Sequence, residues 1–394
     1  MFIVTYGHTN MFHYTFYIQN PEELERHIQR FDGRLITDGT SLIQGLMTLT
    51  SFLTCYNLLI YSEQRPLSLS LLPLCIIKRI IRIMPVNMLV IGFAATWWTH
   101  LRDGPLVPTT IGLESSACQS KFWYHIFYLN NIVDSSNYCV TPSWFLAADM
   151  HMYILVCTLT LVMWQRRRTA LKLYTVLLVA SVLFIGVVAY IKEYKSALFV
   201  TTPENIRRVF RDSPSITDFY ISSWSSLPSC FLGLILAHVQ YELNERKIKL
   251  HKYTWFVVLH TFAFPLIYFW ALIGNFARKH NTPLFYATYV ALDRPLYSMI
   301  VCLMLLGLIN VASGMRVFYS WKPWTILSRM ALSVMLLHWC VNLTISSRPM
   351  TSATSVLDMI VDWTATNSIT YILAIPITVF LEIPMQKFLG TLLF

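Results

Sequence analysis

A few places in this sequence set an ionisable side chain inside an apolar run, where such a group is costly and by default marks function. His8 lies in MFIVTYGHTNMFHYTFYI. A neutral imidazole takes up and gives back a proton near pH 7, so it can serve as a general base; a hydrogen-bonded packing histidine is the alternative. Lys78-Arg79-Ile80-Ile81-Arg82 sits at the inner mouth of an apolar run, with Pro85 just beyond it to loosen the helix. Arg79 and Arg82 share a helix face. Such a face can grip phosphates by bidentate contacts, or it can merely anchor the topology. Trp144-Phe145-Leu146-Ala147-Ala148-Asp149-Met150-His151 buries Asp149 about a turn and a half into a span. A carboxylate there needs a partner or a proton, and Arg294 in a later span is the structural alternative to a catalytic role. His338 stands in the middle of another run, and Glu382-Ile383-Pro384 closes the last one.

Other chemistries lack their signatures. There is no His/Cys cluster with metal spacing, no GxSxG, no phosphate-cradling glycine loop and no HExxH helix, so no metal and no bound cofactor are expected.

The elements that must position these residues are apolar. Of 394 residues, 55% are hydrophobic and 13% charged, against about 25% charged in an ordinary soluble domain. Mean hydropathy is +0.52. The 24 Phe, 21 Tyr and 12 Trp suit aromatic belts at two membrane interfaces. A net charge of +10 could point to nucleic acid, but the basic residues fall in short clusters between apolar runs, so nucleic acid is excluded. Runs long enough to span occur near 1–19, 40–61, 83–100, 144–164, 172–191, 220–241, 253–276, 295–313, 325–345 and 366–386. The expected fold is therefore an all-α, polytopic bundle of about ten spans in the lipid bilayer.

Lys and Arg are densest in the short segments 62–82, 165–171, 242–252 and 314–329, which predicts cytosolic placement of these segments and of both termini. Arg207, Arg208 and Arg211 run against that pattern. The opposite connection 101–143 then faces an oxidising side, and its Cys118 and Cys139 are expected to form a disulfide, two free thiols being the alternative. The sequon Asn342-Leu343-Thr344 lies in an apolar run, which argues against glycosylation.

Taken in order, these pieces resemble membrane acyltransferase family 3, and within it the animal branch named for the "nose resistant to fluoxetine" proteins. The resemblance covers nearly the whole chain. It runs through Tyr6-Gly7-His8-Thr9, Asp38-Gly39-Thr40, Lys78 to Pro85, Phe127-Tyr128-Leu129-Asn130-Asn131 between the two loop cysteines, and Trp144 to Met150, which is the most specific motif. Arg294-Pro295, Leu327-Ser328, His338 and Glu382-Ile383-Pro384 follow. The resemblance implies transfer of an acyl group, often acetyl, from acyl-CoA to a hydroxyl of a lipid or glycan in the plasma membrane or an endomembrane. On that analogy His8 is the base or a transient acyl carrier, Asp149 orients a histidine or the acceptor, and Lys78, Arg79 and Arg82 hold the CoA phosphates. Trp144, Arg294 and His338 complete the substrate site.

The departures support an alternative, an inactive relative that binds or moves lipids or other apolar molecules. Gln44 and Gly45 stand where the family has Asp and Thr, His151 where it has Gln, and Ser226 near a common Arg; Met335 and Trp339 flank His338 in place of Tyr and Pro. Animal members also carry a large extracellular N-terminal domain, so the chain is expected to be a truncated product or a fragment.

Overall fold

The computed structural model describes residues 1–15, 19–23, 26, 41–200, 202–277, 280, 282–347 and 355–393. The Asp38-Gly39-Thr40 motif lies outside the described residues. The long helices are α1 (Phe2–Thr15), α2 (Leu42–Tyr61), α3 (Leu72–Thr96), α4 (Leu113–Ile126), α5 (Trp144–Met163), α6 (Arg167–Lys192) and α7 (Leu227–Glu245). They continue as α8 (Thr254–Ala277), α9 (Pro283–Asn310), α10 (Lys322–Arg329), α11 (Ala331–Ser346), α12 (Val356–Ile377) and α13 (Ile383–Leu393). Among the described residues there is no strand, as expected where lipid offers the backbone no hydrogen bonds and each segment must satisfy its own.

Among the described residues, five helical segments are long and apolar enough to cross a membrane: Leu42–Tyr61, Thr141–Met163, Arg167–Lys192, Pro283–Asn310 and Val356–Thr391. The pair α10 and α11, bent by 63°, makes a sixth if counted as one span. The chain is thus an all-α integral membrane protein. The other expected spans fall on α1, α3 and α7, which are shorter or more polar, and on α8, whose apolar stretch among the described residues is Thr254–Trp270.

Two seams organise the helices. In the first, α7 lies along α2, and α6 and α9 pack behind it. Gly233 makes this possible: a Cβ there would sit 2.6 Å from the Thr48 carbonyl oxygen and 2.7 Å from the Ser51 Cβ. Small residues that let backbones touch are a main source of helix attraction in lipid, where burial of apolar surface gives little. Phe52, Cys55, Leu59, Val156, Tyr174, Phe231 and Leu234 fill the space around that contact. In the second seam, α1 packs on α11 and α12, and α11 also meets α3. The helix α5 joins the seams, with α2 on one side and α3 on the other.

The sequence places Lys78, Arg79 and Arg82 at the mouth of a helix loosened by Pro85. Instead α3 runs unbroken from Leu72 to Thr96 with Pro85 inside it, so the basic residues lie along the helix. An apolar helix tolerates proline because its neighbours confine it and only one backbone bond is lost. The half of α3 beyond Pro85 is covered by α4, through Gln119 to the Ala95 carbonyl (2.7 Å) and Asn87 to the His125 carbonyl (3.5 Å). Cys118 and Cys139 are bonded, tying α4 to the segment that feeds α5. Lys121 pins the same connection by donating to the carbonyls of Asn130, Asp134 and Asn137 at 2.9, 2.7 and 3.1 Å. Burial lowers the Lys121 ammonium to about 8.

Candidate active site

The site begins with how α1 is held. It is only 14 residues long, too short to be stable through its own backbone alone. Its Thr5, Thr9 and His13 recur at helical spacing, each with a polar partner on α11 or α12. Thr5 Oγ1 donates to Asn367 (3.0 Å) and accepts from Trp363 Nε1 (3.1 Å). Thr9 Oγ1 accepts from Asn342 Nδ2 (3.0 Å), and His13 Nε2 lies 3.2 Å from Asp362. These contacts fix the rotation of α1 and turn His8 toward α11. The sequon asparagine is thus buried and engaged with Thr9.

His8 Nδ1 lies 2.9 Å from His338 Nε2, with the two rings 5° from parallel. His338 Nδ1 lies 3.0 Å from the Val334 carbonyl oxygen, one turn back on α11. A carbonyl only accepts, so His338 Nδ1 carries the hydrogen. In the neutral ring its Nε2 is then an acceptor, and His8 Nδ1 must donate to it. By this assignment His8 Nε2 holds a lone pair, and the side-chain hydrogen bond found for His8 among the described residues is the one through Nδ1. The ring that would act as base is therefore oriented by a second group, the usual arrangement around a catalytic base.

The edge of Trp339 meets the His8 ring at 5.1 Å. Its Nε1 donates to the Glu114 carboxylate at 2.9 Å, and the Val140 backbone N–H donates to the same carboxylate at 3.0 Å. Burial raises the Glu114 carboxyl to about 7. Sequence reading missed both residues. Trp339 was seen only as a departure from a motif, and Glu114 sits in a polar connection where acids are common and uninformative.

Both histidines line a cavity of about 220 Å³. Trp144 stands in its wall, packed edge-on against Tyr220 (5.3 Å). The other expected site residues lie elsewhere. Asp149 is buried and paired with Arg79, whose guanidinium also covers the Tyr153 ring at 4.8 Å. This corrects the pairing of Asp149 with Arg294, and it does not bring Asp149 to either histidine of the cavity. Arg294 donates to Ser225 Oγ and the Tyr220 carbonyl, and its guanidinium rests over the Phe219 and Tyr220 rings at 4.8 and 5.1 Å. It lines a small neighbouring pocket that shares Tyr220 and Ala197 with the main cavity. Lys78 and Arg82 are exposed on α3, where Arg82 interacts electrostatically with Glu382. Of the departures, Gln44 is buried and accepts from Ser229 (3.0 Å), Met335 lines the cavity, and His151 lies 2.7 Å from Ser223 Oγ.

Comparison with known proteins adds the family. Residues 1–384 match the family model described as an acyltransferase domain, acyltransferase family 3. The nose resistant to fluoxetine protein 6 of Caenorhabditis elegans is 24% identical over 281 residues, which is 68% of this chain and 33% of the relative. The chain thus covers about a third of that relative's length. No solved structure matches.

Proposed function

The chain belongs to this acyltransferase family, and from that premise we propose that it moves an acyl group, acetyl in the simplest case, from acyl-CoA to a hydroxyl of a membrane-borne acceptor. The observation that carries the reading is the hydrogen-bond chain from the Val334 carbonyl through His338 to His8, which ends in an imidazole nitrogen at a cavity.

The acceptor hydroxyl gives its proton to His8 Nε2 as its oxygen attacks the thioester carbonyl. A carbon–oxygen bond forms, the carbon–sulfur bond breaks, and His8 returns the proton to the leaving thiolate. His338 is a positioning residue that sets the tautomer of His8. Lys78 and Arg82, exposed on α3, take the donor's phosphates, while Arg79 holds Asp149 in place. Trp144 walls the reacting groups, and Arg294 shapes the adjoining pocket. Ten crossings, with α1, α3, α7 and α8 completing the set, leave both termini in the cytosol, where acyl-CoA is made. The host bilayer is the plasma membrane or an endomembrane.

The test is transfer of labelled acetyl from acetyl-CoA in membranes bearing the chain. We expect His8→Ala to lower incorporation by about 10²–10⁴-fold, the range of a lost general base. His338→Gln should reduce it less and shift its pH profile. No incorporation by the unaltered chain, folded and inserted, would sink the enzyme reading and leave a binding relative.

A further inference from the structure

The composition of the cavity wall narrows the acceptor. Among the described residues that line it there is no Asp, Glu, Lys or Arg. Ile43, Leu46, Phe145, Ile216 and Met335 line it together with His8 and His338. A sugar brings several hydroxyls into such a space, and each one left without a partner carries its full desolvation penalty. The cavity offers few partners. His8 presents one nitrogen, and Asn10 and Thr141, also in the wall, each have a buried oxygen without a partner among the described residues. Tyr138 donates to the Phe210 carbonyl at 3.4 Å. Tyr14, Tyr220, Trp144 and Met1 add a few more polar atoms to a wall that is otherwise apolar, which suits a hydroxyl-bearing molecule apolar over most of its surface.

The wall also reaches the outside of the bundle. Ile3 of α1 and Leu46 of α2 both line the cavity, yet they are 50% and 39% exposed. In the proposed ten-crossing reading α1 and α2 both lie in the bilayer, so these exposed surfaces face lipid, with Phe2 (38% exposed) beside Ile3. Helix α1 is held by α11 and α12 rather than by α2. A molecule dissolved in the bilayer can therefore approach His8 sideways, past Ile3 and Leu46.

We infer that the cavity at His8 takes a lipophilic alcohol, an aliphatic or sterol-like body with a hydroxyl, directly from the bilayer. The inference rests on the acyltransferase reading only for the fate of that hydroxyl, because occupancy can be measured without turnover.

The probe is a long-chain alcohol bearing a diazirine and an alkyne, irradiated with the full chain in lipid nanodiscs. We expect labelling on the peptides that carry the cavity wall, reduced by about tenfold or more by excess unlabelled alcohol and unmoved by N-acetylglucosamine. Ile43→Lys, which puts a charge in the wall, should cut labelling by a similar factor. Ile43→Val keeps the wall apolar and should keep the label, and a melting temperature of Ile43→Lys equal to that of the unaltered chain shows that its lost label is not misfolding. Labelling that is spread over the outer helices and not displaced, or that the sugar displaces equally, overturns the inference. Acyl transfer to a soluble sugar, unaffected by the alcohol, overturns it while the enzyme reading stands. Displaceable labelling with no acetyl incorporation into the alcohol or any membrane acceptor supports the occupant and removes the acyltransferase reading instead.

Discussion

The two seams hold their helices by opposite means. Between α2 and α7 the backbones nearly touch across Gly233, and behind that contact the Ser298 hydroxyl of α9 donates to the Ser229 hydroxyl of α7 at 2.8 Å. Between α1, α11 and α12 the helices are joined by longer polar side chains: Thr5 with Asn367, Thr9 with Asn342, His8 with His338. Side chains that reach across a gap leave the gap open beside them, and the cavity lies there. Close approach at a glycine leaves no such room. The comparison teaches that in this protein polar linkage and usable space go together, while the small-residue seam serves as the rigid wall behind them.

The comparison can be tested by experiments of decreasing effect. The largest concerns the junction between the seams, where Arg79 on α3 neutralises Asp149 on α5. Removing one partner of a buried pair costs about 3–5 kcal/mol, whereas removing both costs much less. Arg79→Ala should therefore unfold at markedly lower temperature in detergent than Arg79→Ala with Asp149→Ala. Equal losses would show that the pair does not bind the two halves together.

Next comes Gly233→Leu, which forces side-chain atoms against the Thr48 carbonyl. Overpacking of this kind costs about 1–3 kcal/mol. Thermal unfolding should fall while ligand labelling of the cavity in the folded fraction persists. Labelling lost at full stability would mean that the rigid seam shapes the cavity directly.

The third is a pH effect. Burial raises the Glu114 carboxyl from 4.5 to about 7. The folded chain then binds a proton that the unfolded chain has already released between those values. The stabilisation from this group is complete below the unfolded value and is lost as pH rises through about 7. Glu114→Gln keeps the neutral shape and should flatten the fall in melting temperature between pH 5 and 7.5. An unchanged slope would assign that fall to other groups.

The smallest is Thr9→Val, which removes the acceptor for Asn342. Hydrogen bonds between helices in membranes average about 0.6 kcal/mol. A slight loss of stability is expected, with a larger relative loss of transfer as α1 turns and His8 with it. A change confined to stability would show that His338 alone is enough to hold His8.

Much of this was legible in the residues themselves. Apolar runs separated by basic clusters determined an all-α membrane protein, because lipid leaves the backbone no other solution. The order of the His8, Lys78–Arg82 and Trp144–Met150 motifs determined the family, and the two loop cysteines suggested the bond that ties α4 to α5. Their neighbours in space were not legible. His8 and His338 are 330 positions apart, and Glu114 and Trp339 are 225 apart. Arg79 could equally have held a phosphate, and Asp149 could equally have faced Arg294, because each bare sequence position permits several partners. Which partner is met depends on helix rotation and depth, and these are set by packing among all the helices at once: by Gly233 on one side, and by the threonines of α1 on the other. Sequence supplied the chemical groups, and only tertiary structure decided that an imidazole, held by a second imidazole, opens on an apolar space.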